Sequence, residues 1–206
     1  MYIAGLFIMT IGIAASVKSN LGTAPVSSVP YTLTCVWGIE MGKATIMFHV
    51  SLVLVQVLIL RKSFKIKNLL QIVTAVVFGY FTTFCNYCAS FLPNTDNIFI
   101  RLILILISIV LIAFGLFLYV PADIMPVAAD GTMKTISEIT KIEFSKVKIA
   151  FDVTLVSISL IVCLVALRST GSVGAGTIIS AFLVGSVHAL FVKLLGNKRD
   201  KLLHKV

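Results

Sequence analysis

Few side chains in this sequence could do chemistry, and their surroundings narrow what that chemistry would be. His49 lies about two turns into one apolar run, and Asp152 lies inside another. An ionised side chain at the bilayer centre costs roughly 2.5–3.5 kcal/mol on insertion scales, so such residues usually face a bundle interior or a partner. His49 could titrate near neutral pH and relay a proton. Asp152 has Lys148 one turn earlier, and the plainer alternative is that the two pair while the lysine reaches toward the interface.

Asn20, Thr23, Asp123 and Asp130 stand in two polar stretches rich in proline and glycine. Facing a cavity, the two carboxylates would favour a cationic or hydrogen-bond-donating ligand, whereas free helix N-termini nearby would favour an anion. These indications oppose each other, and no substrate follows from them. Cys85-Asn-Tyr-Cys88 has the spacing of a thiol oxidoreductase motif, but such an enzyme normally passes electrons to a second exposed dithiol. The plainer reading of Cys35, Cys85, Cys88 and Cys163 is that of small buried hydrophobes. Neither H-E-x-x-H nor G-x-S-x-G occurs, and there is no Walker A sequence. The expectation is a protein without catalytic residues, metal or cofactor, and not an enzyme.

The elements that hold these residues are membrane spans. With 59% hydrophobic and 12% charged residues among 206, and a mean hydropathy of +1.08, the chain lacks the polar surface to coat a soluble globule of its size. Apolar runs at about 44–60, 69–92, 98–120, 147–167 and 176–195 are long enough to cross a hydrocarbon core of roughly 30 Å. A sixth, 1–17, is shorter. It has no basic n-region and precedes further spans, so it reads as a membrane helix rather than a cleaved signal peptide.

A formal charge of +9 invites a nucleic-acid reading, but the basic residues sit between the apolar runs. Arg61, Lys62, Lys65 and Lys67 fill one loop; Lys134, Lys141, Lys146 and Lys148 lie in another; Lys193, Lys198, Arg199, Lys201 and Lys205 crowd the C-terminal end. The alternate loops hold only Lys18, Lys43, Arg101 and Arg168. Six spans and the positive-inside bias then put both termini in the cytoplasm, with the protein multi-pass in the cell membrane and residues 196–206 a basic cytoplasmic tail. The basic residues address orientation and anionic headgroups, and no nucleic acid is expected as a partner.

Sliding the sequence by 103 positions aligns residues 12–56 with 115–159 without a gap. Gly12 meets Gly115, Thr32 meets Thr135, Glu40 meets Glu143, Lys43 meets Lys146 and Phe48 meets Phe151. His49 falls opposite Asp152. Matches among apolar helices are cheap, but the loop identities Glu40 and Lys43 are not. The expected fold is therefore all-α and integral to the membrane: one membrane domain over 1–206, with repeats at 1–92 and 98–195 of three transmembrane helices each. Three being odd, the second repeat enters from the opposite side, an inverted duplication of the kind that recurs in transporters.

After the first helix of each repeat comes a break, Lys18 to Pro30 and Pro121 to Thr132, where proline and glycine interrupt helical bonding. Each break leads into a short helix, expected over about 29–38 with Ser27 or Ser28 as cap and Gly38 as stop, and over about 132–142 with Asp130 or Thr132 as cap. These segments are either interfacial or re-entrant. Irregular backbone at membrane depth is tolerated only where protein or a water-filled cavity satisfies it. Gln56, Gln71, Asn86, Thr177, Ser180 and His188 are further polar residues in spans, each most simply a helix-packing hydrogen bond.

Three stretches, Asn20-Leu-Gly-Thr-Ala-Pro25, Asp123-Ile-Met-Pro126 with Asp130-Gly-Thr132, and Gly174-Ala-Gly-Thr-Ile-Ile-Ser-Ala-Phe-Leu-Val-Gly185, together resemble the YczE/YyaS/YitT group of bacterial membrane proteins. The resemblance covers nearly the whole chain and implies a multi-spanning membrane protein; it implies no substrate. The function expected from the residues is that of a small-molecule transporter or substrate-binding membrane subunit, in which Asn20, Thr23, Asp123 and Asp130 line the site between the two breaks. His49 and Asp152 would supply coupling or charge balance. Its partners would be the lipid bilayer, a small-molecule ligand, and either further copies of itself or an energising ATPase. The alternatives are a non-transporting scaffold or regulatory protein and a membrane thiol oxidoreductase.

Overall fold

Hydrocarbon offers a backbone no hydrogen-bond partner, so apolar runs this long must close their bonds internally as helices. This holds even for a run as rich in β-branched residues as Ile98–Tyr119. The computed structural model describes residues 1–122 and 125–203, with side chains described for 1–121 and 125–196. Among the described residues eight α-helices follow one another: α1 (Tyr2–Ser19), α2 (Pro25–Trp37), α3 (Met41–Leu60), α4 (Leu70–Ser90), α5 (Ile98–Tyr119), α6 (Ala128–Thr140), α7 (Phe144–Leu167) and α8 (Ala175–Leu203). Six of them, all but α2 and α6, are long and apolar enough to cross a membrane. The basic tail expected at 196–206 has no described side chains beyond its first residue.

The short helices begin earlier than the capping pattern predicted. α2 starts at Pro25 and α6 at Ala128. Proline is pre-set for the first helical position, where its missing N–H has no intrahelical acceptor anyway, and Val127 precedes α6 without a side-chain cap. The expected caps are thus helix interior: Ser28 donates back to Pro25 O (2.6 Å) and Thr132 to Ala128 O (2.7 Å). Pro30, read as part of the break, lies inside α2. Gly38 does end α2, in the left-handed region at φ 67°.

Boundaries repeat at the displacement found in the sequence. Adding 103 to Pro25, Trp37 and Met41 gives Ala128, Thr140 and Phe144, the corresponding ends of α6 and α7. Gly38 (φ 67°) corresponds to Lys141 (φ 59°), and Glu40 and Glu143 precede α3 and α7 with nearly equal angles, −57°/134° and −55°/134°.

The chain forms two compact units, each drawing on both halves of the sequence. The first comprises Met1–Ala24, Phe84–Ile124 and Gly174–Val206. In it α5 carries α1 along one side and α8 along another. The α1–α5 approach is so close that a Cβ on Gly115 would stand 2.6 Å from Gly5 O and 2.9 Å from Met9 N, while one on Gly12 would stand 3.0 Å from Ser108 O and 2.8 Å from Ile112 Cγ1. These contacts come in pairs. Moving Gly5 forward and Gly115 back by 103 yields Ser108 and Gly12, and the same exchange turns Met9·Gly115 into Ile112·Gly12.

The second unit comprises Pro25–Thr83 and Met125–Val173. Here α2 packs on α7 and α3, and α6 packs on α3 and α7. Its core gathers Phe48, Leu52 and Val53 of α3, Ala128 and Ala129 of α6, and Leu155 of α7. The small α6 residues let that helix sit close against α3, where hydrocarbon area alone offers little drive and packing carries the association.

Candidate functional site

Polar side chains within the second unit form two groups, one of which bridges α3, α4 and α6. Gln56 of α3 and Gln71 of α4 form a reciprocal amide pair, Nε2 of each donating to Oε1 of the other at 2.9 and 3.2 Å. Gln56 Nε2 also lies 3.1 Å from Thr132 Oγ1 and 3.2 Å from Ala128 O on α6. Gly131 makes room for this pair: a Cβ there would stand 2.9 Å from both Gln71 amide heteroatoms.

A second polar seam joins α2 to α7. Ser159 donates to Ser28 at 2.9 Å, Thr32 bonds Ser172 at 2.6 Å, and Cys163 lies 3.7 Å from both Thr32 and Ser172. Ser28 and Thr32 are one turn apart on α2, as Ser159 and Cys163 are on α7, so two small polar stripes meet. Gln56 and Ser159 are themselves partners at the 103-residue displacement, and each reaches the short helix of the opposite half.

His49 is 2% exposed. Its ring is flanked by Phe48 and Phe78, centroids 5.4 and 5.8 Å away, and its Nδ1 is buried without a hydrogen-bond partner. Asp152 accepts from Lys148 at 2.9 Å through Oδ2, the pairing that Lys148 one turn earlier makes available, while its Oδ1 is buried and unpartnered. Asp130 is half-buried in the first turn of α6, where a carboxylate is favoured by the helix dipole. His49, Asp130 and Asp152 thus lie on three helices of the second unit, α3, α6 and α7, of which α6 packs against both others.

In the first unit Asn20 ends α1 in a left-handed turn (φ 54°), its N–H on Val17 O, and is exposed. Asparagine tolerates that conformation better than most residues. Thr23 is fully buried, with Oγ1 unpartnered. Asp123 lies outside the described residues. Cys85 is buried against Thr10 at 3.3 Å, while Cys88 is exposed.

The seam of Ser28, Thr32, Ser159, Cys163 and Ser172 had no place among the sequence candidates. Its signal was present as paired i, i+4 spacings of small polar residues, and Gln56 and Ser159 closed the ungapped repeat alignment as two polar residues facing one another.

Six membrane-length apolar helices, with polar side chains sequestered between them, define a polytopic helical membrane protein. The chain belongs to a family of unknown function, DUF6198, whose model matches residues 1–193. It is 28% identical over 187 residues to the uncharacterized membrane protein YczE of Bacillus subtilis, covering 90% of this chain and 81% of that one. It is 24% identical over 194 residues to the uncharacterized protein YyaS of the same organism, covering 94% and 92%. An uncharacterized protein of Haemophilus influenzae is 27% identical over 194 residues, covering 92% and 81%. The resemblance to YczE and YyaS read from three motifs is borne out. No solved structure matches the chain significantly.

Proposed function

We propose that this protein is a small-molecule transporter, or the substrate-binding membrane subunit of one, built as an inverted duplication with α2 and α6 re-entrant. The observation that carries the reading is the pair His49 and Asp152. They occupy matching positions on α3 and α7, inside apolar spans, and each holds a buried polar atom without a partner. Ionisable groups are expensive at such depth and by default mark a substrate, ion or proton path.

The duplication is supported by the repeated element boundaries and by the exchangeable α1–α5 contacts; re-entrance is supported by the buried faces of α2 and α6. Asn20, Thr23, Asp123 and Asp130 are the proposed ligand contacts of the two breaks, with both termini cytoplasmic. The protein acts alone, as an oligomer or with an ATPase, none of which requires catalysis by this chain.

The test is a thermal-shift screen of the detergent-purified protein against amino acids, sugars, nucleosides, polyamines and organic acids, followed by uptake of any stabilising solute into reconstituted vesicles. Uptake that His49→Leu and Asp152→Asn each abolish is the expected result. If no solute stabilises the protein and loaded vesicles match protein-free ones, the transport reading fails in favour of a scaffold.

A further inference from the structure

The corner between α3 and α4 takes no part in the polar groups of the second unit or in the broken segments. α3 and α4 have 20 and 21 residues, and at 1.5 Å per residue each spans about 30 Å, one hydrocarbon thickness. Neither helix has a spare turn to lift residues 61–69 into water, so the corner lies in the interfacial plane. Two 3₁₀ turns, Arg61–Ser63 and Ile66–Leu69, make it compact. Phe64 N–H donates to Arg61 O at 3.2 Å, and Asn68 N–H to Lys65 O at 2.8 Å. Between the turns, the half-buried Phe64 packs on the core cluster that holds Leu52 and Ala128, which pins the corner to the helices.

Arg61, Lys62, Lys65 and Lys67 are exposed, and none of them forms an ion pair among the described residues. No acidic residue occurs between Glu40 and Asp96, so neither helix carries a carboxylate to balance them. Between two of these cations stands Ile66, 82% exposed, more than any other large apolar side chain among the described residues. Leu69 and Leu70 are exposed as well. Water would leave the charges unpaired and the isoleucine hydrated, whereas the boundary between acyl chains and phosphates satisfies both. The backbone of Arg61, at φ 45° and ψ −114°, lies in a region that favours glycine. The position nonetheless carries a guanidinium, whose planar fork suits a phosphodiester.

We propose that residues 61–70 form a docking surface for anionic phospholipid. Ile66 enters the acyl boundary, and Arg61, Lys62, Lys65 and Lys67 contact phosphate headgroups. This goes beyond the charge bias that sets orientation, because the corner selects lipid by class in the folded protein. A free phosphate ion would meet the cations and leave Ile66 in water, so the occupant is a lipid. The surface is independent of whether the protein carries a solute.

The experiment uses the full chain with Trp37, its one tryptophan, replaced in the variant Trp37→Phe/Ile66→Trp. The protein is reconstituted in phosphatidylcholine vesicles containing phosphatidylglycerol, with bromine on the acyl chains of one lipid class at a time. Quenching of the tryptophan reports which lipid lies against position 66. At equal mole fraction, brominated phosphatidylglycerol should quench more than brominated phosphatidylcholine, with a preference of about fivefold for each cation that engages. Replacing the four cations by glutamine should make the two lipids equal. Arg61→Gly, which suits the backbone and removes one cation, should reduce the preference and serves if the fourfold variant does not insert. Inorganic phosphate at equal ionic strength should displace nothing. Equal quenching by both lipids, quenching by neither, or a preference undiminished in these variants overturns the proposal; displacement by inorganic phosphate overturns the lipid as its occupant.

Discussion

At the scale of single residues, the Gln56–Gln71 pair separates two kinds of energetic effect. Deleting one partner of a buried hydrogen bond leaves the other desolvated and unpaired, which costs about 1–3 kcal/mol, whereas replacing both by apolar groups of similar shape is nearly neutral. Gln56→Leu should therefore lower the melting temperature in detergent, and Gln56→Leu/Gln71→Leu should recover part of the loss. A double variant as damaging as the sum of its singles would show that the two amides do not act as a pair. Lys148 and Asp152 obey the same logic with charge. Lys148→Met leaves a largely buried carboxylate without its cation and should reduce the folded yield in membranes, and Asp152→Asn added to it should restore that yield. Sequence spacing revealed the Lys148–Asp152 pair, because its partners lie on one helix. It could not reveal Gln56 with Gln71 or Ser28 with Ser159, because those bonds cross between helices whose rotation only packing sets.

Among elements, the α1–α5 approach is the most exposed to test. Gly115→Val would drive a branched side chain into Gly5 O and Met9 N, backbone atoms that cannot rotate away. A penalty of about 1–3 kcal/mol, typical of overpacking, is expected, read as a lowered melting temperature; unchanged melting would mean that the two helices do not meet there. The corners offer the opposite sign. Lys141 holds a left-handed conformation that its counterpart Gly38 adopts freely, and an L-residue there gives up about 1–2 kcal/mol against a partly compensating entropy cost for glycine. Lys141→Gly should thus stabilise slightly, and a fall in melting temperature would contradict the assigned backbone. All six long helices were legible from apolar length. The starts of α2 and α6 were not, because cap residues were sought where a proline at the first helical position and a bare Val127 serve instead.

For the whole molecule, composition already excluded a water-soluble globule, and the six membrane-length helices agree. Orientation is a matter of charge between helices. A phosphatase reporter fused after α8 should be inactive in cells, and a fluorescent reporter that matures only in the cytoplasm should be bright at the same position. An active phosphatase would overturn the topology proposed from the charge bias. Replacing Arg61, Lys62, Lys65 and Lys67 together should weaken the preference. What lay beyond the sequence at this scale was how its parts associate. A duplication read along the chain implies two successive halves, yet each compact unit is assembled from both.

The Gln56 amide has one further consequence. Its nitrogen carries two hydrogens but stands within reach of three acceptors, at 2.9, 3.1 and 3.2 Å. One of the three always goes without a Gln56 hydrogen, and Ala128 O, which already accepts from Thr132 at 2.7 Å, can spare it most readily. Two of these acceptors, Thr132 Oγ1 and Ala128 O, lie on α6 and the third, Gln71 Oε1, on α4, so a single amide ties α3 to two helices at once.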